Sequence, residues 1–509
     1  MTGKVAIRQL PTGVPGLNQI LGGGVPEFSF NLICGTPGSG KTTLAQQIMF
    51  SLCGPDCHAV YFTVVGEPPM KMLRYQQQYT FFDQERVTES IRFVNLSQDL
   101  VDGSLDKILA RIVQEVEATS PGVVFVDSFR TVGRAAGSAE NGDLQLQHFV
   151  HQLAVRLTAW QATTFLIGEY HPSDVDRDPV FTVADGVLWL HQSIDRNSMV
   201  RKMQVMKVRG QAPIPGLHTF RMTGDGIQVF PRVIVSSEDT RASRPDQKRE
   251  PVKHRLSTGV KGLDAMLGGG IPEGYSVLVS GPSGSGKSVL ATEFIMEGVR
   301  QGEPGIIAVF EKRPGMRSLT PPGGPAFEKM VREEKVGIIY TRPLDLSIDE
   351  MLHEIIEEIH HYKARRLVID SLSGFELALA PTFREDFRES LYRMVAVLTE
   401  IGITMMMTAE LEDTYTDLRF SPHGTAFLTD AIIMQRYIEV RGKLERVMSV
   451  VKVRGSAHSE ALHTFQITAE GIMVGKALGN YEGLLTGSPS MITGERAAKR
   501  ESRKKQKSK

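Results

Sequence analysis

The sequence predicts an α/β fold built twice, with two tandem domains that each flank a mostly parallel central sheet with helices. Three observations carry that expectation. A glycine-rich segment, Gly35-Thr36-Pro37-Gly38-Ser39-Gly40-Lys41-Thr42, returns 246 positions later as Gly281-Pro282-Ser283-Gly284-Ser285-Gly286-Lys287-Ser288. Each copy lies between an apolar run (Phe28 to Cys34; Tyr275 to Ser280) and a helix-like segment (Thr42 to Leu52; Ser288 to Val299), as when a strand delivers the chain into a helix. Other continuous apolar runs, Val123 to Val126 and Leu367 to Ile369, have the composition of parallel strands buried on both faces.

The first element of each half is the glycine-rich loop, which fits G-x-x-x-x-G-K-[ST]. Such a loop cradles nucleotide phosphates with backbone N–H groups and a lysine, and its hydroxyl helps to hold Mg²⁺. The helix that follows adds the positive end of its dipole. The expected phosphate-binding residues are therefore Thr36, Pro37, Gly38, Ser39, Gly40, Lys41, Thr42 and Thr43 in the first half, and Pro282, Ser283, Gly284, Ser285, Gly286, Lys287 and Ser288 in the second.

Mg²⁺ needs more oxygen ligands than one hydroxyl supplies. Asp127 and Asp370 end the apolar runs, where a parallel strand reaches the carboxyl edge beside the loop, so the expected metal residues are Thr42, Asp127, Ser288 and Asp370. Hydrolysis also needs a group that orients or deprotonates water. Glu67, after the apolar Ala59 to Val65, and Glu311, after Ile306 to Phe310, are the candidates. Ungapped superposition of the halves sets Glu311 against Val65, one or two places ahead of Glu67, which leaves the register of the first glutamate open.

A third matched element is Met206-Lys207-Val208-Arg209-Gly210 against Val451-Lys452-Val453-Arg454-Gly455. On a strand, residues i and i+2 project to one side, so Lys207 with Arg209, and Lys452 with Arg454, form a cationic fork suited to a transferring phosphate.

The 509 residues exceed one core and suit two. The expected divisions are 1–236, a polar linker at 237–254, 255–483, and a C-terminal segment with a basic tail at 484–509. The 58 basic and 58 acidic side chains balance, so no global field favours nucleic acid or an anionic membrane. Three cysteines are too few for a disulfide scaffold; with no signal peptide and no membrane-length apolar run, the expected location is the cytoplasm.

Beyond the loops, Thr12-Gly13-Val14-Pro15-Gly16-Leu17 with Leu21-Gly22-Gly23-Gly24 recurs as Thr258-Gly259-Val260-Lys261-Gly262-Leu263 with Leu267-Gly268-Gly269-Gly270. Together with the Asp-Ser strand ends and the K-x-R-G pairs, these segments make the chain from about Gln9 to Thr493 resemble the KaiC family of tandem RecA-type P-loop ATPases. The resemblance implies a double-ring homohexamer with ATP bound between neighbouring subunits, and it assigns Lys207, Arg209, Lys452 and Arg454 to the neighbour's site. It also implies a protein partner at a ring face or at the basic tail.

The family's paired catalytic glutamates are half kept, since Lys312 follows Glu311. The clock-type autokinases of the family phosphorylate an adjacent serine and threonine before a Thr-Asp pair; anchored on Thr429-Asp430, those acceptors become Ala426 and Phe427, neither with a hydroxyl. The preferred expectation is an ATP-hydrolysing hexameric signalling module. The alternatives are a serine/threonine autokinase using a nearby threonine, such as Thr425 or Thr429, and a RecA-like DNA-binding ATPase, for which no basic stripe with interleaved aromatics appears. No base-reading motif separates ATP from GTP.

Overall fold

The computed structural model describes residues 7–64, 69–101, 105–136, 142–195, 198–232, 254–310, 324–340, 347–379, 381–384, 387–411, 428–440, 442–478, 481–482 and 490–491. The chain divides into two compact units, Met1–Arg232 and Val233–Lys509. Nearly all of the expected linker and most of the C-terminal segment lie outside the described residues.

In the first unit the sheet comprises β1 (Phe30–Gly35), β2 (Ala59–Thr63), β3 (Ile91–Asn95), β4 (Val123–Asp127), β5 (Thr163–Glu169), β6 (Gly186–Asp195), β7 (Ser198–Val208), β8 (Leu217–Thr223) and β9 (Gly226–Phe230). Their spatial order is β9-β8-β7-β6-β1-β5-β4-β2-β3. The five pairings from β6 across to β3 are parallel, and the three from β6 to β9 are antiparallel.

The second unit repeats this with β10 (Ser276–Gly281), β11 (Gly305–Val309), β12 (Val336–Tyr340), β13 (Arg366–Asp370), β14 (Thr404–Glu410), β15 (Ala431–Val440), β16 (Lys443–Val453), β17 (His463–Thr468) and β18 (Gly471–Ala477). The order β12-β11-β13-β14-β10-β15-β16-β17-β18 is the same arrangement, again with five parallel and three antiparallel pairings. The expected α/β class with a mostly parallel sheet is thus present in both halves.

The inner parallel strands are largely apolar and buried because helices cover both faces, whereas the edge strand β3 exposes Arg92 and Asn95. In the first unit the loop helix α1 (Lys41–Leu52) lays Leu44, Ala45, Ile48 and Met49 over the face that carries Ile33, Tyr61, Phe125, Phe165 and Ile167. On the opposite face, α2 (Leu105–Thr119) buries Ile108, Leu109, Ile112 and Val116 at helical spacing, and α3 (Gly142–Ala159) buries Phe149, Val150 and Leu153. The second unit repeats both layers, with α4 (Lys287–Arg300) on one face and α5 (Ile348–Tyr362) and α6 (Phe387–Glu400) on the other. Ser347 caps α5 by accepting from Glu350 N, and the helix stops at Lys363 in the left-handed region.

One feature was not anticipated. A strand is inserted between the loop strand and the acidic strand in each unit: β5 separates β1 from β4, and β14 separates β10 from β13. Among the described residues no helix is long and apolar enough to cross a membrane. Cys34 and Cys53 are buried, and burial pushes both thiols up, Cys53 to about 12, so neither is a ready thiolate.

Candidate nucleotide site in each unit

Each loop turns from the end of its strand into its helix through left-handed glycines, Gly38 and Gly40 in the first unit (φ 74° and 99°) and Gly284 and Gly286 in the second (φ 74° and 110°). At Gly40 the left-handed φ of 99° favours glycine, and a Cβ there would also have to push aside the Met222 side chain, whose Sδ would lie at 2.8 Å. Gly40 and Gly286 are also the N-caps of α1 and α4, and neither helix has a side-chain cap. No side-chain cap thus occupies the first-turn N–H groups, and an uncapped helix N-terminus has the donor geometry that suits an anion.

The loop lysines fold back over their loops. Lys41 Nζ donates to the Thr36 carbonyl at 2.8 Å, and Lys287 Nζ to the Gly281 and Pro282 carbonyls, both at 2.8 Å. Burial lowers the Lys41 pKa, while the charges of Glu169 and Asp127, and lesser still of Cys34, oppose that shift. Ser285 Oγ donates to Gln435 Oε1 at 3.2 Å, and Tyr437 OH donates to the Gly284 carbonyl at 2.6 Å, anchoring the second loop to β15.

The acidic residues meet the loops from across the inserted strands. In the first unit Thr42 Oγ1 donates to Asp127 Oδ2 at 2.8 Å, and Tyr61 OH donates to the same oxygen at 2.9 Å. Burial pushes the Asp127 carboxyl up, against the two hydroxyl donors and Lys41. A hydroxyl hydrogen-bonded to a buried acid fits Mg²⁺ chemistry, because the cation would favour the ionised carboxylate that burial disfavours. In the second unit Asp370 is held differently: Thr408 Oγ1 donates to Oδ1 at 2.5 Å, and among the described residues Ser288 makes no hydrogen bond to it. A cleft of about 320 Å³ opens at the first site, lined by Gly38, Lys41, Thr42, Asp127, Glu169 and Met222 among others.

The cationic forks sit at the other edge of each sheet. Lys207 Nζ donates to the Phe181 and Thr182 carbonyls at 3.0 and 3.3 Å, and Arg209 reaches the Thr182 carbonyl at 3.3 Å and Asp185 Oδ1 at 3.0 Å. Both side chains reach the Thr182 carbonyl, although Arg209 stands one residue past the end of β7, in a turn, rather than on the strand. Asp185 in turn accepts from Phe30 N, at the first residue of β1. In the second unit Lys452 Nζ donates to the Thr429 carbonyl at 2.7 Å, Arg454 pairs with Asp430 Oδ1 at 3.5 Å, and Asp430 accepts from Ser276 N, the first residue of β10. The loops begin at the last residues of those strands. The five steps between the first and last residues, at roughly 3.3 Å each, put fork and loop about 16 Å apart along the strand, so no fork approaches the loop of its own unit.

Glu67, Glu311 and Lys312 lie outside the described residues, as do Thr425, Ala426 and Phe427. Thr429 is fully buried. The sequence reading missed Tyr61 and Thr408, the hydroxyls that orient the two acids, and the glutamates that end the inserted strands, Glu169 and Glu410. A signal for the glutamates existed: both halves read as an apolar strand closing on Glu. It was hidden because Glu410 follows Glu169 by 241 positions whereas the loops repeat at 246.

A protein-family model described as "ATPase: KaiC" matches residues 10–234 and again 256–479. The circadian clock oscillator protein KaiC of Rippkaea orientalis is 28% identical over 495 residues, covering 96% of this chain and 92% of its own length. KaiC 1 of Synechocystis is 27% identical over 502 residues (96% and 93%), and KaiC of Prochlorococcus marinus strain SARG 28% over 503 (96% and 96%). Two matched nucleotide loops on two matched sheets, with the family model spanning both, show that the chain belongs to the KaiC family of ATPases.

Proposed function

We propose that this chain is a Mg²⁺-dependent ATPase that works as a homohexamer, with ATP held between neighbouring subunits in each of two rings. One observation carries the reading: in both units the Lys-Arg fork stands at the opposite sheet edge from the loop it would serve. A ring in which each subunit presents its fork edge to the next subunit's loop edge uses both surfaces.

Within a site, the loop amides and Lys41 or Lys287 bind and orient the phosphates, and Thr42 with Asp127, or Ser288 with Asp370, would hold Mg²⁺, which when bound neutralises charge on the β- and γ-oxygens. The neighbour's Lys207 and Arg209, or Lys452 and Arg454, stabilise the negative charge that grows on the transferring phosphoryl group. Released from ATP, the forks return to the carbonyls and carboxylates that hold them here, which links nucleotide state to the amino edge of the sheet. The relatives named as circadian clock oscillator proteins support a signalling role for this chain; the reading sets that role in the cytoplasm, with a protein partner at a ring face or the basic tail. The missing acceptor hydroxyls at Ala426 and Phe427 and the burial of Thr429 favour this over an autokinase.

The test mixes two inactive variants. One carries Lys41→Ala and Lys287→Ala, the other Lys207→Ala and Lys452→Ala. If the forks act in trans, random co-assembly restores about one quarter of wild-type phosphate release, since a quarter of the interfaces then pair an intact loop with an intact fork. Co-assembled particles that release none, or single chains by native mass measurement with ATP present, refute the reading.

A further inference from the structure

We infer that Arg130 is the positioning residue of the first unit's fork: it clamps the segment on which Lys207 and Arg209 rest, and so governs phosphate release at the neighbouring subunit's loop rather than at its own. The inference rests on the reading above in which the fork acts in trans, and it adds the group that keeps the fork in place.

Arg130 stands in the first turn of the helix Phe129–Ala136, and its guanidinium reaches the segment that follows β5. Nη1 donates to Asp178 Oδ2 at 2.7 Å, Nη2 pairs with Asp174 Oδ1 at 3.2 Å, and the guanidinium carbon lies 4.8 Å from the centre of the Tyr170 ring. The other oxygen of each carboxylate closes a turn of its own backbone: Asp174 Oδ2 accepts from His171 N at 2.9 Å, and Asp178 Oδ1 from Val180 N at 3.1 Å. One cation thus fixes two carboxylates that each fix a turn. A cation in a helix's first turn opposes the helix dipole, and the two carboxylates offset that cost.

Asp178 is the N-cap of the short helix Pro179–Val183, and the fork rests on that helix: the Phe181 and Thr182 carbonyls accept from Lys207, and Thr182 also from Arg209. Phe181 is buried between Tyr170, edge-on at 5.1 Å, and Trp189 of β6, stacked at 6.0 Å. Contacts therefore run without a gap from Arg130 to the fork. Towards its own phosphate loop there is no such path. Among the described residues the polar partners of Arg130 are Asp174 and Asp178, and it does not line the cleft at that loop. In the second unit Ser373 stands at the matching place, counted from the acid, and its short hydroxyl cannot bridge two carboxylates, so this clamp belongs to the first unit.

Without the guanidinium, Asp174 and the buried Asp178 lose their shared cation. The helix Pro179–Val183 then loosens, and the resting positions of Lys207 and Arg209 loosen with it. A misplacement of about 1 Å in a group that stabilises a reacting centre can cost on the order of 10²-fold in rate. The loop amides, Lys41 and Thr42 are untouched, so nucleotide still binds.

In the experiment every chain carries Lys287→Ala, so release reports the first unit. Arg130→Gln should bind a fluorescent ATP analogue within about threefold of the parent and release phosphate at least about tenfold more slowly, with Arg130→Lys, which keeps one pairing, losing less. Co-assembly then shows which site the arginine serves. Mixed with equal Lys41→Ala chains, whose forks are intact, Arg130→Gln chains should recover about one quarter of the parental release, because a quarter of the interfaces pair an intact loop with a clamped fork. Mixed with Lys207→Ala chains, they should recover nothing beyond their residual rate. The reverse pattern assigns Arg130 to its own loop and overturns the inference, as does parental release from Arg130→Gln. Recovery with neither partner marks a general defect and overturns it too. Asp178→Asn keeps the helix cap and weakens the pairing; it should repeat the Arg130→Gln pattern, and parental release from it refutes the clamp even if Arg130→Gln fails to fold. Lys41→Ala and Lys207→Ala chains that fail to complement each other sink the trans reading itself.

Discussion

Tyr61→Phe isolates a difference between the two sites. Tyr61 is fully buried, stacked on Phe125 with ring centroids 5.7 Å apart, so phenylalanine keeps the packing and removes only the hydroxyl. That hydroxyl stays protonated, because burial first and the Asp127 charge second hold its pKa well above the usual value. It therefore donates to Asp127 Oδ2, and a hydrogen bond to a carboxylate contributes about 1.5–3 kcal/mol. Asp127 keeps Thr42 at 2.8 Å. The lost donor pushes the Asp127 carboxyl further up and loosens its orientation. If Asp127 holds Mg²⁺ as proposed above, removing such a support should weaken the metal by about tenfold or more.

The assay is phosphate release titrated with Mg²⁺ in a Lys287→Ala background, which reports the first site alone. The half-saturating Mg²⁺ concentration should rise about tenfold, with a near-normal rate at saturation. In a Lys41→Ala background the same substitution should change nothing, because Ile307 occupies the matching position in β11 and Thr408 holds Asp370 from the other flank. An unchanged Mg²⁺ requirement at the first site, or an equal shift at the second, refutes the reasoning.

Three further outcomes are expected. Gly40→Ala forces a Cβ against Met222 at φ 99° and should cost about 1–2 kcal/mol in urea unfolding while abolishing analogue binding at the first site. Arg366, fully buried, donates to Glu303 Oε2 at 2.7 and 2.9 Å and to the Ser257 and Phe294 carbonyls. Arg366→Met orphans Glu303 and those carbonyls and should destabilise the second unit by about 3–5 kcal/mol in urea unfolding; a loss under about 1 kcal/mol would contradict the burial argument. His218 is buried, accepts from Arg232 N at Nδ1 and faces the Ile214 carbonyl with Nε2. Burial, the larger cause, and Arg232 lower its pKa against the pull of that carbonyl. The unfolded chain then takes up the proton first, so stability is full above about 6.5 and falls as pH drops from there towards the lower folded value. Urea midpoints between pH 7 and 5 should show this, with a flatter profile in His218→Gln.

The loops, the acidic strand ends and the forks were legible because each concentrates its chemistry in a few adjacent residues, and duplication repeated each at a comparable interval. Lys207 with Arg209 shows how far local pattern reaches: both meet at the Thr182 carbonyl, but Arg209 does so from the turn after β7, which the i, i+2 strand spacing did not foresee. That they converge at the edge away from their own loop depends on β7 running antiparallel to β6, a pairing between strands that spacing alone does not give.

The inserted strands were harder to read for a related reason. Thr163 to Glu169 and Thr404 to Glu410 look like any buried strand, and only the topology puts them between loop and acid. Between the halves the interval shrinks from 246 at the loops to 243 at the aspartates and 241 at the glutamates, so small deletions accumulate along the way. An ungapped comparison tuned to the loops therefore loses the glutamates, and it misregisters Glu67 against Glu311 for the same kind of reason. Tyr61 and Thr408 are less visible still, because the two units orient one acid by different means: a phenol from β2 in the first, a threonine from β14 in the second. Conserved geometry with exchanged donors leaves no repeat to find. It also makes the two sites chemically unequal, since Asp127 accepts from the loop hydroxyl of Thr42 while, among the described residues, Asp370 accepts nothing from Ser288. Under the proposed function, the first unit should respond to Mg²⁺ through Tyr61 and the second through Thr408, and Thr408→Val is the substitution that separates them.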